Sequence, residues 1–139
     1  VQRKQNVGTA VFCRNSILLA KRIKTHKRKK VPFGGYWSIF SGRVEEGEDP
    51  LDAAYRELYE ETKIIPEKVQ KIRFFMGFIE DDCEYLFHTL EIDELITPRL
   101  NFEHTEYGWF KVNYLESFSG DLDDQILKLI LDYNNERLI

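Results

Sequence analysis

Gly42-Arg43-Val44-Glu45-Glu46-Gly47-Glu48, seven residues, then Arg56-Glu57-Leu58-Tyr59-Glu60-Glu61-Thr62-Lys63-Ile64: this stretch organises the chain. Glu57, Glu60 and Glu61 fall within five residues. On a helix, neighbours three and four apart share a face, so Glu57 faces both Glu60 and Glu61. Like charges at that spacing destabilise an isolated helix by about 0.2–0.5 kcal/mol per pair. A hard divalent cation offsets such repulsion, because carboxylate oxygens are its preferred ligands.

The opposite side of the segment shows what would hold it. Leu51, Ala54, Tyr55, Leu58 and Thr62 recur at helical spacing as a mostly apolar stripe. At about 100° per residue, Glu57 and Glu60 point away from that stripe and Glu61 sits at its margin. Asp49 suits an N-cap and Pro50 a first-turn position. The preceding Gly42–Gly47 stretch reads as a loop, where glycine permits tight turns and close approach to a ligand.

The pattern Gly-x5-Glu-x7-Arg-Glu-aliphatic-x-Glu-Glu-x-Gly-aliphatic resembles the Nudix box, the mark of hydrolases acting on nucleoside diphosphates linked to another group. Gly42, Glu48, Arg56, Glu57, Leu58, Glu60, Glu61 and Ile64 fall in register. Lys63 stands where the pattern has glycine. A glycine just past a helix supplies a left-handed C-terminal conformation, and a lysine held there costs roughly 1 kcal/mol. Its charge at the helix C-terminus returns a little of that. The change predicts a stability cost or an altered helix exit, not loss of activity. Phe40-Ser41-Gly42 also replaces the Pro-Gly-Gly of many relatives, which bears on local loop shape.

The resemblance implies an α/β fold, an α/β/α sandwich with a mixed β-sheet between helices, as one domain over residues 1–139. It implies Mg²⁺, with Mn²⁺ as substitute. Glu60 and Glu61 would be the principal ligands, Glu57 a third ligand or the general base, the Gly42 carbonyl a further oxygen, and Glu48 an auxiliary ligand. Arg56 would pair with a box carboxylate and orient it. Relatives recruit a further Glu from a loop ahead of a Trp-containing strand. Here Glu103 is the first choice, with Glu106 and His104 behind it.

Composition agrees with a soluble domain. The chain has 139 residues, 42% hydrophobic and 32% charged, enough for a real core. No run approaches the ~18 apolar residues of a membrane helix. No signal-peptide pattern appears over Val1–Ala10. Cys13 and Cys83 read as free thiols of a cytoplasmic protein. The net charge of −4 argues against non-specific nucleic-acid binding by the domain as a whole.

Along the chain, Asn6–Arg14 and Ile17–Arg22 form a predicted hairpin around Asn15-Ser16. Lys21–Lys30 carries seven Lys or Arg and no acid. It is either a solvated, mobile loop or an electropositive lip for a polyphosphate or an RNA 5′ end. Phe33–Tyr36 is a turn and Trp37–Phe40 a short strand; Trp37 packs in the core or borders the substrate pocket. Arg43 serves a phosphate or a surface salt bridge. Pro66 stops the helix. Val69–Ile79 and Cys83–Ile92 read as paired strands around Asp81-Asp82, with His88 a packing histidine. A strand over Tyr107–Val112 follows. Leu122–Tyr133 reads as an amphipathic closing helix capped near Asp121.

The expected activity is metal-dependent hydrolysis of a diphosphate linkage in a small nucleotide. Two alternatives remain: an isopentenyl-diphosphate-isomerase-like enzyme, to which nothing in the sequence ties Cys13 or Cys83, and a Nudix-like module that binds a nucleotide or RNA end without cleaving it. Such modules usually lose box carboxylates. Homodimers are common among similar proteins.

Overall fold

The computed structural model describes residues 3–138. Val1, Gln2 and Ile139, the ends of the expected 1–139 domain and part of the Val1–Ala10 stretch, lie outside them. The elements run β1 (Lys4–Cys13), β2 (Ser16–Arg22), β3 (Thr25–His26), β4 (Lys29–Lys30), β5 (Trp37–Ser38), β6 (Phe40–Arg43), α1 (Pro50–Thr62), β7 (Arg73–Glu80), β8 (Cys83–Glu91), β9 (His104–Lys111), a 3-10 helix (Val112–Ser117) and α2 (Asp124–Arg137).

β1 is the centre of a mixed seven-stranded sheet. One flank of β1 pairs with β8 in parallel, from Lys4 opposite Cys83 to Phe12 opposite Glu91. The other flank is shared. Asn6–Thr9 pair with β6, whereas Val11–Cys13 pair with β2. β2 also carries β5 and β9, and β7 lies outside β8.

Strands covered on both faces read as nearly unbroken apolar runs, and β1 and β2 show why. Val7, Val11, Leu18 and Ala20 pack with Phe40 against Ala54 and Leu58 of α1. Ala10, Phe12, Ile17 and Leu19 point the other way and pack against Leu129 and Ile130 of α2. The period-two alternation of a strand thus feeds two cores at once. This is the expected sheet between two helices.

Boundaries differ in instructive places. The first hairpin turns at Arg14-Asn15, with Arg14 at φ 53°, and Ser16 already belongs to β2. β7 begins at Arg73, not Val69, and β9 at His104, not Tyr107. The cap of α2 is Asp123, whose carboxylate accepts from the Ile126 N–H at 3.1 Å; Asp121 instead gives its carbonyl to the Trp37 N–H. Asp81 and Asp82 both take positive φ, the pattern of a tight hairpin turn. Among the described residues no helix is long and apolar enough to cross a membrane.

Candidate active site

Helix α1 starts as its sequence dictates. Asp49 is extended, its carboxylate accepts from the Leu51 N–H at 2.8 Å, and Pro50 occupies the first turn. The helix ends at Lys63, which adopts the left-handed conformation with φ 63°. The ordinary glycine geometry is therefore kept by a lysine, whose ammonium lies 4.9 Å from the centre of the Tyr59 ring.

The buried face of α1 differs from the expected stripe. Leu51 is exposed, and Ala53, Glu57 and Glu61 are buried beside Ala54, Leu58 and Thr62. Glu57, expected to point away from the packed side, and Glu61, expected at its margin, both lie within it. Gly42 supplies the reason. It lies in β6 rather than in a loop, and a Cβ there would land on the Glu57 carboxyl group. An absent side chain on the strand makes room for an acid on the helix.

Arg56 gathers the outer carboxylates. Its Nε and Nη2 donate to the two Glu48 oxygens at 2.8 and 2.9 Å, Nη1 donates to Glu57 at 2.8 Å and Glu60 at 3.3 Å, and Nη2 reaches the Arg43 carbonyl. The bidentate fork is strong and directional. Bonding to Arg56, reinforced by the Glu45 N–H, lowers the Glu48 carboxyl to about 2. Bonding to Glu48 in turn raises Arg56 above its already high value. Burial raises Glu57, with Arg56 opposing.

Glu61 has little such relief: only the nearby Ser41 backbone and the Arg22 charge act to lower it. It is fully buried, and neither carboxyl oxygen has a hydrogen-bond partner. Burial first, then the charges of Glu103 and Glu57, hold its pKa well above the ordinary value. His104 lies beneath it, Nε2 3.9 Å from Oε1, with both ring nitrogens unpartnered. Burial and the Arg22 charge push His104 down to about 4, so it is neutral at pH 7. His104 does not sit in a loop: it opens β9 and is buried.

The three later candidates separate. Glu103 lines a cleft of about 560 Å³ with Ser41, Gly42, Arg22 and Trp37. His104 is buried behind it, and Glu106 is exposed on β9 opposite Lys21. Trp37 packs edge-on against Phe110, at 5.3 Å, and borders the cleft. Arg43 is exposed. His88 is a packing residue, with Nδ1 2.9 Å from the Leu86 carbonyl. Cys13 is buried; Cys83, which the sequence did not tie to a pocket, lies on the cleft wall, where its sulfur accepts from the Asn6 amide at 3.3 Å.

Among the described residues, no three His, Cys, Asp or Glu side chains stand close enough together to hold a metal ion as they are. The donor chemistry nevertheless fits a hard cation. A buried, unpartnered carboxyl group beside two further carboxylates is costly, and a divalent ion with oxygen ligands removes that cost. Glu60, on the exposed side, is held by Arg56 at 3.3 Å.

A family model described as NUDIX domain matches residues 2–130. An RNA pyrophosphohydrolase of Bartonella bacilliformis is 40% identical over 60 residues, 42% of this chain and 35% of that protein. The chain thus matches only about a third of that relative's length. A MutT protein of Methanosarcina mazei superposes with a TM-score of 0.75 at 18% identity, covering 98% of this chain and 96% of that one. The NUDIX domain of Shewanella oneidensis NrtR, solved with ADP ribose, superposes with a TM-score of 0.75 at 20% identity, over 100% and 90% of the two chains.

Proposed function

This chain belongs to the NUDIX family, and from that premise we propose that it hydrolyses a diphosphate linkage in a nucleoside diphosphate joined to another group, with a divalent cation. The observation that carries the reading is Glu61: a fully buried carboxyl group without a hydrogen-bond partner, with the charges of Glu57 and of the cleft-lining Glu103 acting on it. A structural acid would have been given donors. The diphosphate of ADP ribose in the NrtR domain supports the substrate class.

Glu57, Glu60 and Glu61 would hold Mg²⁺ or Mn²⁺, with the Gly42 carbonyl as a further oxygen and Glu48 at the periphery. When bound, the ion supplies charge neutralisation of the diphosphate oxygens and a lowered pKa for water. The chain's own groups do the rest. Arg56 fixes the rotamers of Glu48 and Glu57 through three hydrogen bonds, and is itself steadied by Glu60 and the Arg43 carbonyl. Glu103, facing the cleft, takes the proton of the attacking water on its carboxylate. His104, neutral, backs Glu61 without adding a competing positive charge. Trp37 and the stacked Phe78–Tyr85 pair, 5.2 Å apart, offer ring faces to a base.

Release of nucleoside monophosphate from a panel of nucleotides, with Mg²⁺ or Mn²⁺ and with EDTA, tests the reading. Cleavage that EDTA abolishes is expected. Tight binding of one compound with no cleavage under any metal would replace the hydrolase with the binding module.

A further inference from the structure

The hydrolase reading leaves Lys21–Lys30 without a task. The segment is not a loose loop. Thr25–His26 and Lys29–Lys30 pair as a small antiparallel ribbon, turned at Lys27 and Arg28, both with positive φ. Its base is tied to the site. The Ile23 N–H donates to the Glu103 carbonyl at 2.9 Å, and the Gly35 N–H to the Arg22 carbonyl at 3.0 Å. Gly34 lets the ribbon close down, because a Cβ there would meet the Lys24 backbone at 2.8 Å.

The ribbon concentrates charge that nothing neutralises. Lys24, Lys27, Arg28, Lys29 and Lys30 are all exposed. Among the described residues none of them forms an ion pair. A chain of net charge −4 thus carries one strongly positive arm, anchored beside its cleft. Aromatic faces lie along the same path. Phe102 is 63% exposed and has the His26 ring stacked on it at 4.8 Å; Phe33, on the cleft wall, is 58% exposed. Positive side chains interleaved with exposed rings suit single-stranded nucleic acid, whose phosphates and bases each find a partner.

We infer that the substrate is the 5′-polyphosphorylated end of an RNA strand, its terminal phosphates in the cleft and its following nucleotides along the 24–30 arm. This deepens the hydrolase reading and rests on it. From Arg22 to the turn at Lys27 the arm spans roughly 16 Å at strand rise. A strand stacked as in a duplex has a phosphate about every 3.4 Å, so several phosphates fall within reach. A free nucleotide would leave the arm unused. RNA is chosen over DNA because RNA synthesis begins on an intact triphosphate.

The test measures binding in EDTA by fluorescence anisotropy, with 5′-triphosphorylated RNA of twelve and of two nucleotides, and turnover of both with Mg²⁺. The twelve-mer should bind at least about tenfold more tightly than the dinucleotide, and at least as tightly as a DNA twelve-mer with the same end. The combined variant Lys27→Asn, Arg28→Gly, Lys29→Ser, Lys30→Ser keeps residues that tolerate the turn. It should lose that advantage, flatten the log–log salt slope by about 3, and turn over the dinucleotide as before. The charge-preserving variant Lys27→Arg, Lys29→Arg, Lys30→Arg should retain the advantage. Equal affinity for the two RNA lengths, tighter binding of DNA, or an unchanged slope in the neutral variant would overturn the assignment. Dinucleotide cleavage would survive those results; its absence, with every other nucleotide also intact, is what removes the hydrolase itself.

Discussion

Gly42 and Glu57 occupy one space between them: the strand residue lacks a side chain where the helix residue places its carboxyl group. Gly42→Ala therefore evicts the Glu57 carboxylate rather than perturbing a loop. We expect a stability loss of about 1–3 kcal/mol, typical of overpacking, and a fall in turnover of about 10²-fold from the misplaced acid. Urea unfolding beside steady-state kinetics checks both. An alanine variant with undiminished turnover would show that Glu57 is not needed where it now sits.

Glu61→Gln should move stability and activity in opposite directions. The buried carboxyl is raised, so the folded state holds a proton that the unfolded state releases. Stability is then lost as pH climbs from the ordinary carboxyl value through the raised one. The glutamine variant has no such loss. In EDTA at pH 7.5 it should exceed the wild type by about 1 kcal/mol or more, an increase in Tm of roughly 3–6 °C per kcal/mol, with the gap closing toward pH 5. Mg²⁺ should raise the Tm of the wild type and leave the variant unmoved. Differential scanning fluorimetry over pH, with and without Mg²⁺, reads all of this.

Arg56→Lys is not conservative at a bidentate site. One ammonium cannot hold Glu48, Glu57 and Glu60 at once, so turnover should fall about 10- to 100-fold with the fold intact. The Glu48 carboxyl reports the cause. In the wild type its depressed pKa means that the bond to Arg56 persists below pH 4.5 and is lost as pH falls toward about 2. Carbon-13 NMR titration should find a midpoint near 2, returning to the ordinary carboxylate range in Arg56→Ala.

Lys63→Gly should be nearly silent. It removes left-handed strain of about 1 kcal/mol, but it also adds freedom to the unfolded chain and deletes the contact with Tyr59, worth about 0.5–1 kcal/mol. A change within about 1 kcal/mol is expected by chemical denaturation, with turnover unaltered.

Much of this architecture could be read from residues alone, and the exceptions share a cause. The Asp49-Pro50 start, the Lys63 exit, the first hairpin and the Asp81-Asp82 turn depend on nearby residues, so local chemistry announced them. The burial of Glu57 and Glu61 did not. Periodicity assigns acids to solvent, and only β6, brought over α1 by pairing with β1, reverses that. The cap fell to Asp123 because α2 begins at Asp124, which puts the Asp123 carboxylate beside the Ile126 N–H, while the Asp121 backbone is tied to Trp37, far away in sequence. The ribbon at residues 25–30 escaped notice because charge carries no periodic apolar signal, although the turn and the Gly34 contact define it.

The parallel pairing of β1 with β8 also sets a timetable for synthesis. Val7–Cys13 leave the ribosome well ahead of the strand that covers their second flank, which ends at Glu91. At about 5–20 residues per second, the nascent chain carries an uncovered, strongly apolar edge for several seconds. Crowded polysomes would therefore be the setting in which this protein most needs a chaperone.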